Sequence, residues 1–179
     1  MTPTLLRGGL GQEKELPMET FDALSKRASV REYLHKPISK DLLEQLVDAG
    51  RRAPSARAVE PWEFIVVTER ATLDKLAGMI STGVFLKQAA ACVIVFCADT
   101  KYYLEDGSAA TENILLAATD LGLGTCWIAG DKKEYCEDVA RLFGVPPHMK
   151  LISLISVGWA VKEVNQHKHR LVKDVLHWE

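Results

Sequence analysis

The sequence predicts an α+β fold in a single domain. Apolar segments of strand length occur at 62–68, 92–98 and 150–158, and amphipathic helical patterns lie between them. The helices and strands follow one another without the regular β-α-β alternation that is typical of a doubly wound parallel sheet. A chain of 179 residues, of which 47% are hydrophobic and 26% charged, is long enough to bury one substantial core.

The first predicted elements follow a segment without any periodic pattern. Residues 1–17 are rich in Gly and polar residues and are predicted to form a flexible arm. A short amphipathic helix is predicted at 19–26, with Phe21 and Leu24 on its apolar face. It is followed by an extended segment, ASVREYLHKPI.

The middle of the chain alternates helix and strand patterns. Ser39 is predicted to cap a helix that stops at Pro54, because proline cannot continue a helix. A strand at 62–68, a helix near 70–80 and a second strand at 92–98 come next.

The helix predicted at 104–121 is apolar around most of its circumference. Such a helix needs burial on nearly all sides, which predicts packing against a partner subunit as well as against its own sheet. The segment 121–130 ends this helix at Gly122 and opens a third strand. A helix over 131–144, stopped by Gly144, precedes the last strand. The charged tail carries four apolar anchors: Val172, Val175, Leu176 and Trp178.

Charge and hydropathy exclude several function classes. A formal net charge of −2 and a pI near 6.2 argue against a broad basic surface for nucleic acid or an anionic membrane. The longest apolar run, 89–98, is about half of the roughly 20 residues that span a membrane. The N-terminus lacks the pattern of a secretory signal. We therefore expect a cytoplasmic protein without a nucleic-acid or membrane partner.

Residue types that often carry metal, nucleophile or acid–base chemistry are scattered. The four cysteines form no C-x-x-C motif and are predicted to be free buried thiols. The histidines do not cluster as ligands, so no metal site is expected. No G-x-S-x-G elbow occurs, and the glycines at 122–124 lie after a helix instead of before one, unlike a dinucleotide fingerprint. Paired carboxylates such as Glu105-Asp106 are predicted to lie on solvated helix faces.

Basic residues near the start of the chain are the strongest local signal. In the extended segment RASVR, Arg27, Ser29 and Arg31 point to one side, where guanidinium and hydroxyl groups can bind phosphate oxygens. A second basic pair, Lys168 and Arg170, lies in the tail. From these residues alone, a phosphate site and an ordinary surface arginine pair both stay open.

Four segments in this order resemble the nitroreductase family of FMN-dependent oxidoreductases: SKRASVREY, APSARAVEPWEFIVV, AATENILLAATDLGLGTCWIAG and KHRLVKDVLHWE. The resemblance runs from about Phe21 to Glu179. It implies an α+β fold with a central, mostly antiparallel sheet flanked by helices, formed by one FMN-binding domain over 18–179. It also implies a homodimer with exchanged terminal segments and an FMN site at the subunit interface.

The resemblance further implies how the basic residues bind FMN. Arg27 and Ser29 would contact the phosphate and the ribityl chain, and Arg31 would reach toward the flavin N1–O2 edge. A cation at that edge stabilises the negative charge of a reduced flavin. Lys168 and Arg170 would close over the same phosphate.

The flavin ring is implied to lie against the third strand and the loop before the first strand. Backbone amides of Ala129 and Gly130 would face flavin N5 and O4, with Trp127 or Ile128 against the ring. The full set of implied FMN contacts is Arg27, Ala28, Ser29, Arg31, Pro54, Ser55, Ala56, Ala58, Trp127, Ile128, Ala129, Gly130, Lys168 and Arg170.

The segment APSARAVEPW departs from the family pattern A-P-S-x-x-N-x-Q-P-W. Ala58 stands at the Asn position and Glu60 at the Gln position. The family's Asn bonds the pyrimidine edge of the flavin, whereas an alanine side chain neither donates nor accepts. We expect this edge to be met by backbone, water, Arg31 or Arg57.

The implied activity is that of an NAD(P)H-dependent flavin oxidoreductase. In such enzymes flavin N5 takes a hydride from NADH or NADPH, and a nitroaromatic, quinone or similar small acceptor is reduced next in a ping-pong mechanism. Two alternatives stay open: a flavin- or nucleotide-binding protein without turnover, and a specialised branch for reductive dehalogenation or flavin breakdown.

Overall fold

A four-stranded antiparallel sheet forms the centre of the computed structural model, which describes residues 19–166 and 168–179. The strands are β1 (Trp62–Val67), β2 (Ala91–Ala98), β3 (Gly124–Ala129) and β4 (Met149–Gly158). Their order is β1-β2-β4-β3, so β1 and β3 are the edge strands. The predicted α+β class and antiparallel sheet are confirmed, whereas the predicted arm at 1–17 lies outside the described residues.

Helices cover both faces of this sheet. They are α1 (Thr20–Lys26), α2 (Lys40–Arg51), α3 (Arg70–Met79), α4 (Tyr103–Asp120) and α5 (Cys136–Leu142). Val93 and Val95 of β2 pack in the core under α2 and α4, while Ile94 and Phe96 pack in the core under α3 and α5. Because successive strand residues point to opposite faces, a strand buried on both sides is apolar throughout, as β2 is.

The helix ends follow their predicted signals. Ser39 Oγ accepts the Leu42 N–H at 3.3 Å and caps α2. After α4, Gly122 has a φ of 72°, and the Leu123 N–H donates to Ala118 O at 2.7 Å. This Schellman turn leads the chain from α4 directly into β3.

One helix is shorter than predicted, and one apolar face points outward. The helix expected over 131–144 begins only at Cys136, because Lys132 has a φ of 60°, which does not fit an α-helix. On α1, Ala23 is buried, whereas the predicted apolar face is exposed, with Phe21 exposed to 84%. The apolar face of α1 therefore points away from its own chain.

Helix α4 lies in the middle of its layer. It packs on the sheet, beside α2 and against α1. The Asn113 side-chain amide donates to Ala49 O of α2 at 3.1 Å, and a Cβ added to Gly50 would lie 2.9 Å from Ile114. Among the described residues, every helix is too short or too polar to cross a bilayer.

Candidate functional site

The predicted basic segments meet at one depression on the surface, which we call the basic depression. It has a volume of about 290 Å³. Its lining is Arg27, Ala28, Ser29, Arg31, Val164, Asn165, Gln166 and Lys168. The described lining thus combines cationic side chains with a hydroxyl and two amides and contains no carboxylate. This is a donor set that fits a phosphate group.

Strand β3 holds the RASVR segment in place. The Val30 N–H donates to Thr125 O at 2.8 Å, and Ser29 pairs with Thr125 in a parallel bridge. Val30 is buried over Gly124, where an added Cβ would lie 2.9 Å from the valine side chain. Because extended residues alternate in direction, burying Val30 turns Ser29 and Arg31 outward.

A buried hydroxyl pair fixes the next residues of the same segment. The Tyr33 hydroxyl donates to Val30 O at 2.6 Å and lies 2.6 Å from the Ser156 hydroxyl. The ring lies over Gly158, where an added Cβ would approach it to 2.5 Å. Burial raises the pKa of Tyr33 above its ordinary value, so the phenol stays protonated and keeps its donor.

The two arginines of the basic depression have different surroundings. Arg27 Nε lies 3.8 Å from Glu112 Oε1, which positions this guanidinium beside α4. Arg31 is exposed, with one guanidinium nitrogen 3.5 Å from Ser29 O and the guanidinium carbon 5.8 Å from the centroid of the Phe85 ring. Arg27 is therefore placed for a fixed contact, whereas Arg31 is able to extend toward a ligand.

The open edge of β3 presents backbone groups to the surface. The Gly130 N–H donates to Ile152 O of β4 at 2.9 Å. By the alternation of an antiparallel ladder, the N–H groups of Trp127 and Ala129 therefore point to the open edge. This corrects the role implied for the Gly130 amide, whose donor is already used inside the sheet. The Ala129 amide has the direction that the resemblance implies.

Trp127 lies at the surface, whereas Ile128 lies in the core. Trp127 is 36% exposed, whereas Ile128 is 3% exposed and packs in the core under α3 and α5. Of these two residues, Trp127 is the one that can lie against a ring at the surface. Gly130 follows the strand directly, and a Cβ added there would lie 2.7 Å from the Ile152 backbone, so the position requires glycine.

The loop between α2 and β1 forms a compact turn that contacts the first turn of α4. The Ala56 N–H donates to Asp106 Oδ1 at 2.9 Å, and the Glu60 N–H donates to Ser55 Oγ at 2.9 Å. Asp106 is 4% exposed, so the expectation of a solvated Glu105-Asp106 pair is wrong for this residue.

Three residues of this loop have left-handed backbones. They are Arg57, Ala58 and Glu60, with φ values of 59°, 53° and 50°. Non-glycine residues adopt this region at a cost, and Asn adopts it more readily than Ala. An Asn at position 58, which the resemblance implies, would therefore suit this backbone better than Ala.

The loop and the basic depression lie at different points along α4. The loop contacts Asp106 in the first turn, and Arg27 contacts Glu112, about 9 Å further along the helix axis. Ala56 and Arg57 line a separate cavity of about 180 Å³ with residues 100–102. Within one chain, Ala56 and Arg57 therefore line a different cavity from the RASVR residues.

Only one residue of the tail's basic pair reaches the basic depression. Lys168 lines it, whereas Arg170 donates to Asp174 O at 2.5 Å in the turn that follows. This contact directs Arg170 away from the role implied for it. Asn165 and Gln166, which the sequence did not single out, take part in the lining instead.

The four cysteines are free thiols, and the thiol of Cys126 lies beside Ser29 of the RASVR segment. The thiols of Cys92, Cys97 and Cys126 are free and buried, and that of Cys136 is free and half-buried. Burial raises the pKa of the Cys92 thiol to about 12. No group of three or more metal-ligating side chains comes together in the part of the chain that the structure describes.

The chain is similar in sequence to known proteins. The sequence profile of the nitroreductase family matches residues 24–106 and 98–159. An Archaeoglobus fulgidus protein, named as a candidate NADH dehydrogenase/NAD(P)H nitroreductase, is 34% identical over 171 residues, covering 90% of this chain and 98% of that protein.

Two solved structures superpose on most of the chain. A candidate NADH dehydrogenase/NAD(P)H nitroreductase from Bacteroides thetaiotaomicron gives a TM-score of 0.85 at 34% identity, covering 89% of this chain and 96% of that one. An FMN-dependent nitroreductase from Clostridium difficile gives 0.80 at 28% identity, covering 87% and 96%.

The antiparallel sheet, its two helical layers and these likenesses define an α+β oxidoreductase with the nitroreductase fold. The chain belongs to the nitroreductase family. The resemblance carried by its four sequence segments is thereby confirmed, and with it the prediction of an oxidoreductase.

Proposed function

We propose that the chain is an FMN-dependent oxidoreductase that takes electrons from NADH or NADPH and reduces a nitroaromatic, quinone or similar small acceptor. The observation that carries this proposal is the basic depression, where Arg27, Ser29, Arg31 and Lys168 converge beside the open edge of β3. The FMN-dependent nitroreductase from Clostridium difficile has the same fold, which supports FMN as the cofactor. Residues 18–179 form a single FMN-binding domain.

The basic depression binds the FMN phosphate. Arg27 and Lys168 supply positive charge, Ser29 supplies a hydroxyl, and the backbone at Ala28 lies between them. Glu112 keeps the Arg27 guanidinium in place without entering the lining. The amides of Asn165 and Gln166 add neutral donors for the phosphate or the ribityl chain.

The edge of β3 would hold the flavin ring. Trp127 would pack against the ring, and the Ala129 N–H would donate to the N5–O4 side. Arg31 would reach the N1–O2 edge and stabilise negative charge there. When bound, FMN supplies the redox chemistry, passing electrons from NAD(P)H to the acceptor in a ping-pong sequence. The protein's own residues bind and orient the ring and set the electrostatics around it.

The functional unit is a homodimer with exchanged terminal segments. Apolar side chains of α1 and the tail are exposed within one chain, with Trp178 exposed to 87%. A groove of about 840 Å³ runs between α2 and the edge strand β1, with Leu43, Val47 and Phe64 in its apolar lining. The tail of a second copy, residues 171–179, supplies apolar side chains that suit this groove.

The dimer also explains the division of the site. Because Ala56 and Arg57 of the loop line a different cavity from the basic depression in one chain, the loop of one subunit completes the FMN site of the other. Size-exclusion chromatography with light scattering tests this: a monomer at micromolar concentration would refute the shared site.

The decisive measurement is the visible spectrum of the purified full chain incubated with FMN, followed by anaerobic addition of NADH or NADPH. The proposal expects retained flavin absorption that bleaches with the nucleotide and returns when a nitroaromatic or quinone is added. Retained flavin that never bleaches would favour a binding protein without turnover, an alternative that the missing amide at Ala58 supports. Failure to take up FMN would refute both.

A further inference from the structure

Asp106 is the only buried charged side chain among the described residues. It lies in the first turn of α4 and is 4% exposed. Its Oδ1 accepts the Ala56 N–H at 2.9 Å, while its Oδ2 has no hydrogen-bond partner. A buried carboxylate with one unpartnered oxygen is costly for stability, so its presence calls for another role.

Among the described residues, the bond to Asp106 is the one hydrogen bond that joins the strained loop to α4. The other hydrogen bonds of this turn stay inside the loop: Ala58 N–H to Ser55 O at 3.1 Å, Val59 N–H to Ala56 O at 3.3 Å, and Glu60 N–H to Ser55 Oγ at 2.9 Å. These internal bonds hold the loop's shape, but they do not fix its position on the helix. The Asp106 carboxylate does.

We propose that Asp106 is a positioning residue for the flavin site: it fixes the backbone from Ser55 to Ala58 where that backbone meets the pyrimidine edge of FMN. This inference rests on the proposed function, which places the loop beside the flavin. Ala58 offers no side-chain partner, so the edge depends on backbone groups. Their placement is only as precise as the hydrogen bond that holds Ala56.

Two substitutions distinguish the role of Asp106 as a hydrogen-bond acceptor from the role of its negative charge. Asp106→Ala removes the acceptor and leaves the Ala56 N–H unpartnered. Asp106→Asn keeps a carbonyl oxygen at the same distance and removes only the charge. A matched control is Thr111→Val on the same helix, since Thr111 is buried and hydrogen-bonds to Gly107 O and to the Ser153 hydroxyl without touching the loop.

The full-length variants are compared by FMN titration, by the visible circular dichroism of bound FMN, and by hydrogen exchange of the amides at 54–60. We expect Asp106→Ala to weaken FMN binding about tenfold or more, to alter the dichroism and to speed exchange in the loop. Asp106→Asn and Thr111→Val should stay close to the unmodified protein in all three. If Asp106→Ala does not fold, Asp106→Ser, whose hydroxyl is too short to reach Ala56, replaces it.

An Asp106→Ala variant with unchanged FMN affinity and dichroism would overturn the inference. So would an Asp106→Asn variant that behaves like Asp106→Ala, because the charge and not the hydrogen bond would then matter. If the unmodified protein takes up no FMN, the proposed function fails. Hydrogen exchange without FMN then decides whether Asp106 positions the loop.

Discussion

Replacing Ala58 tests how the loop is strained and what it contacts. Ala58 is exposed and has a φ of 53°, in the left-handed region. An alanine there costs about 1–2 kcal/mol relative to the right-handed region, whereas glycine has no such cost. Because the methyl group is exposed, removing it loses little packing.

Ala58→Gly should therefore raise the free energy of unfolding. We expect a gain of about 1 kcal/mol, since part of the relieved strain is offset by the greater freedom of glycine in the unfolded chain. For a domain of this size the gain corresponds to an increase in Tm of about 2–4 °C. Ala58→Asn should recover part of it, because Asn tolerates the left-handed region better than Ala.

Measuring FMN affinity then distinguishes the effect of the backbone conformation from that of the side chain at position 58. Both variants relieve strain, but only Asn adds an amide, and one neutral hydrogen bond to the pyrimidine edge should tighten FMN binding about 2- to 12-fold relative to Gly. Thermal unfolding and FMN fluorescence titration on the same preparations measure both effects. A glycine variant with a lower Tm refutes the strain argument, and equal affinities of the two variants refute the amide contact.

Three other substitutions test the site and its support. Arg27→Ala should weaken FMN binding about 10-fold or more by removing a charge-assisted contact, while Arg141→Ala, which removes an exposed arginine paired with Asp138 on α5, should not; unchanged affinity of the Arg27→Ala variant would remove Arg27 from the phosphate site. Tyr33→Phe should lower the free energy of unfolding by about 1–3 kcal/mol below pH 10. Because burial raises the Tyr33 pKa from 10.0, the unmodified protein should lose stability more steeply than the variant above that pH, and parallel pH curves would contradict this. Gly130→Ala should cost about 3 kcal/mol or more in urea unfolding, since its Cβ would lie 2.7 Å from backbone atoms, whereas Gly78→Ala in α3, with open space around it, should be neutral or stabilising.

The fold could be predicted where signals are local. The strand expected at 92–98 is β2, and the signals at Ser39 and Gly122 work because capping depends on a few neighbouring atoms. The start of α5 could not be predicted in this way, because a lysine with a positive φ at position 132 leaves no mark in the sequence. The outward face of α1 was equally hidden, since an apolar pattern does not say whether its own chain or another one covers it.

The candidate site, too, could be predicted from the sequence only in part. Alternation along RASVR predicts which side chains share a side, and the family resemblance implies that Lys168 joins them from far along the chain. In the structure Lys168 lines the basic depression together with Arg27, Ser29 and Arg31. Asn165 and Gln166 were missed because neutral amides in an aperiodic segment give no charge or period to follow. The pair Glu105-Asp106 predicts a solvated helix face, whereas Asp106 is buried. Its neighbour Gly107, where a Cβ would lie 2.6 Å from Ile152, marks the close approach of helix and sheet that buries it.

Helix α4 fixes the distance between the loop and Arg27 within one chain. Its first turn holds the loop through Asp106, and Glu112 holds Arg27 further along. This spacing is set by the rise of a helix and not by a flexible connection. In the proposed homodimer the loop and Arg27 of one chain serve different FMN sites, so each α4 sets how far apart the two sites lie.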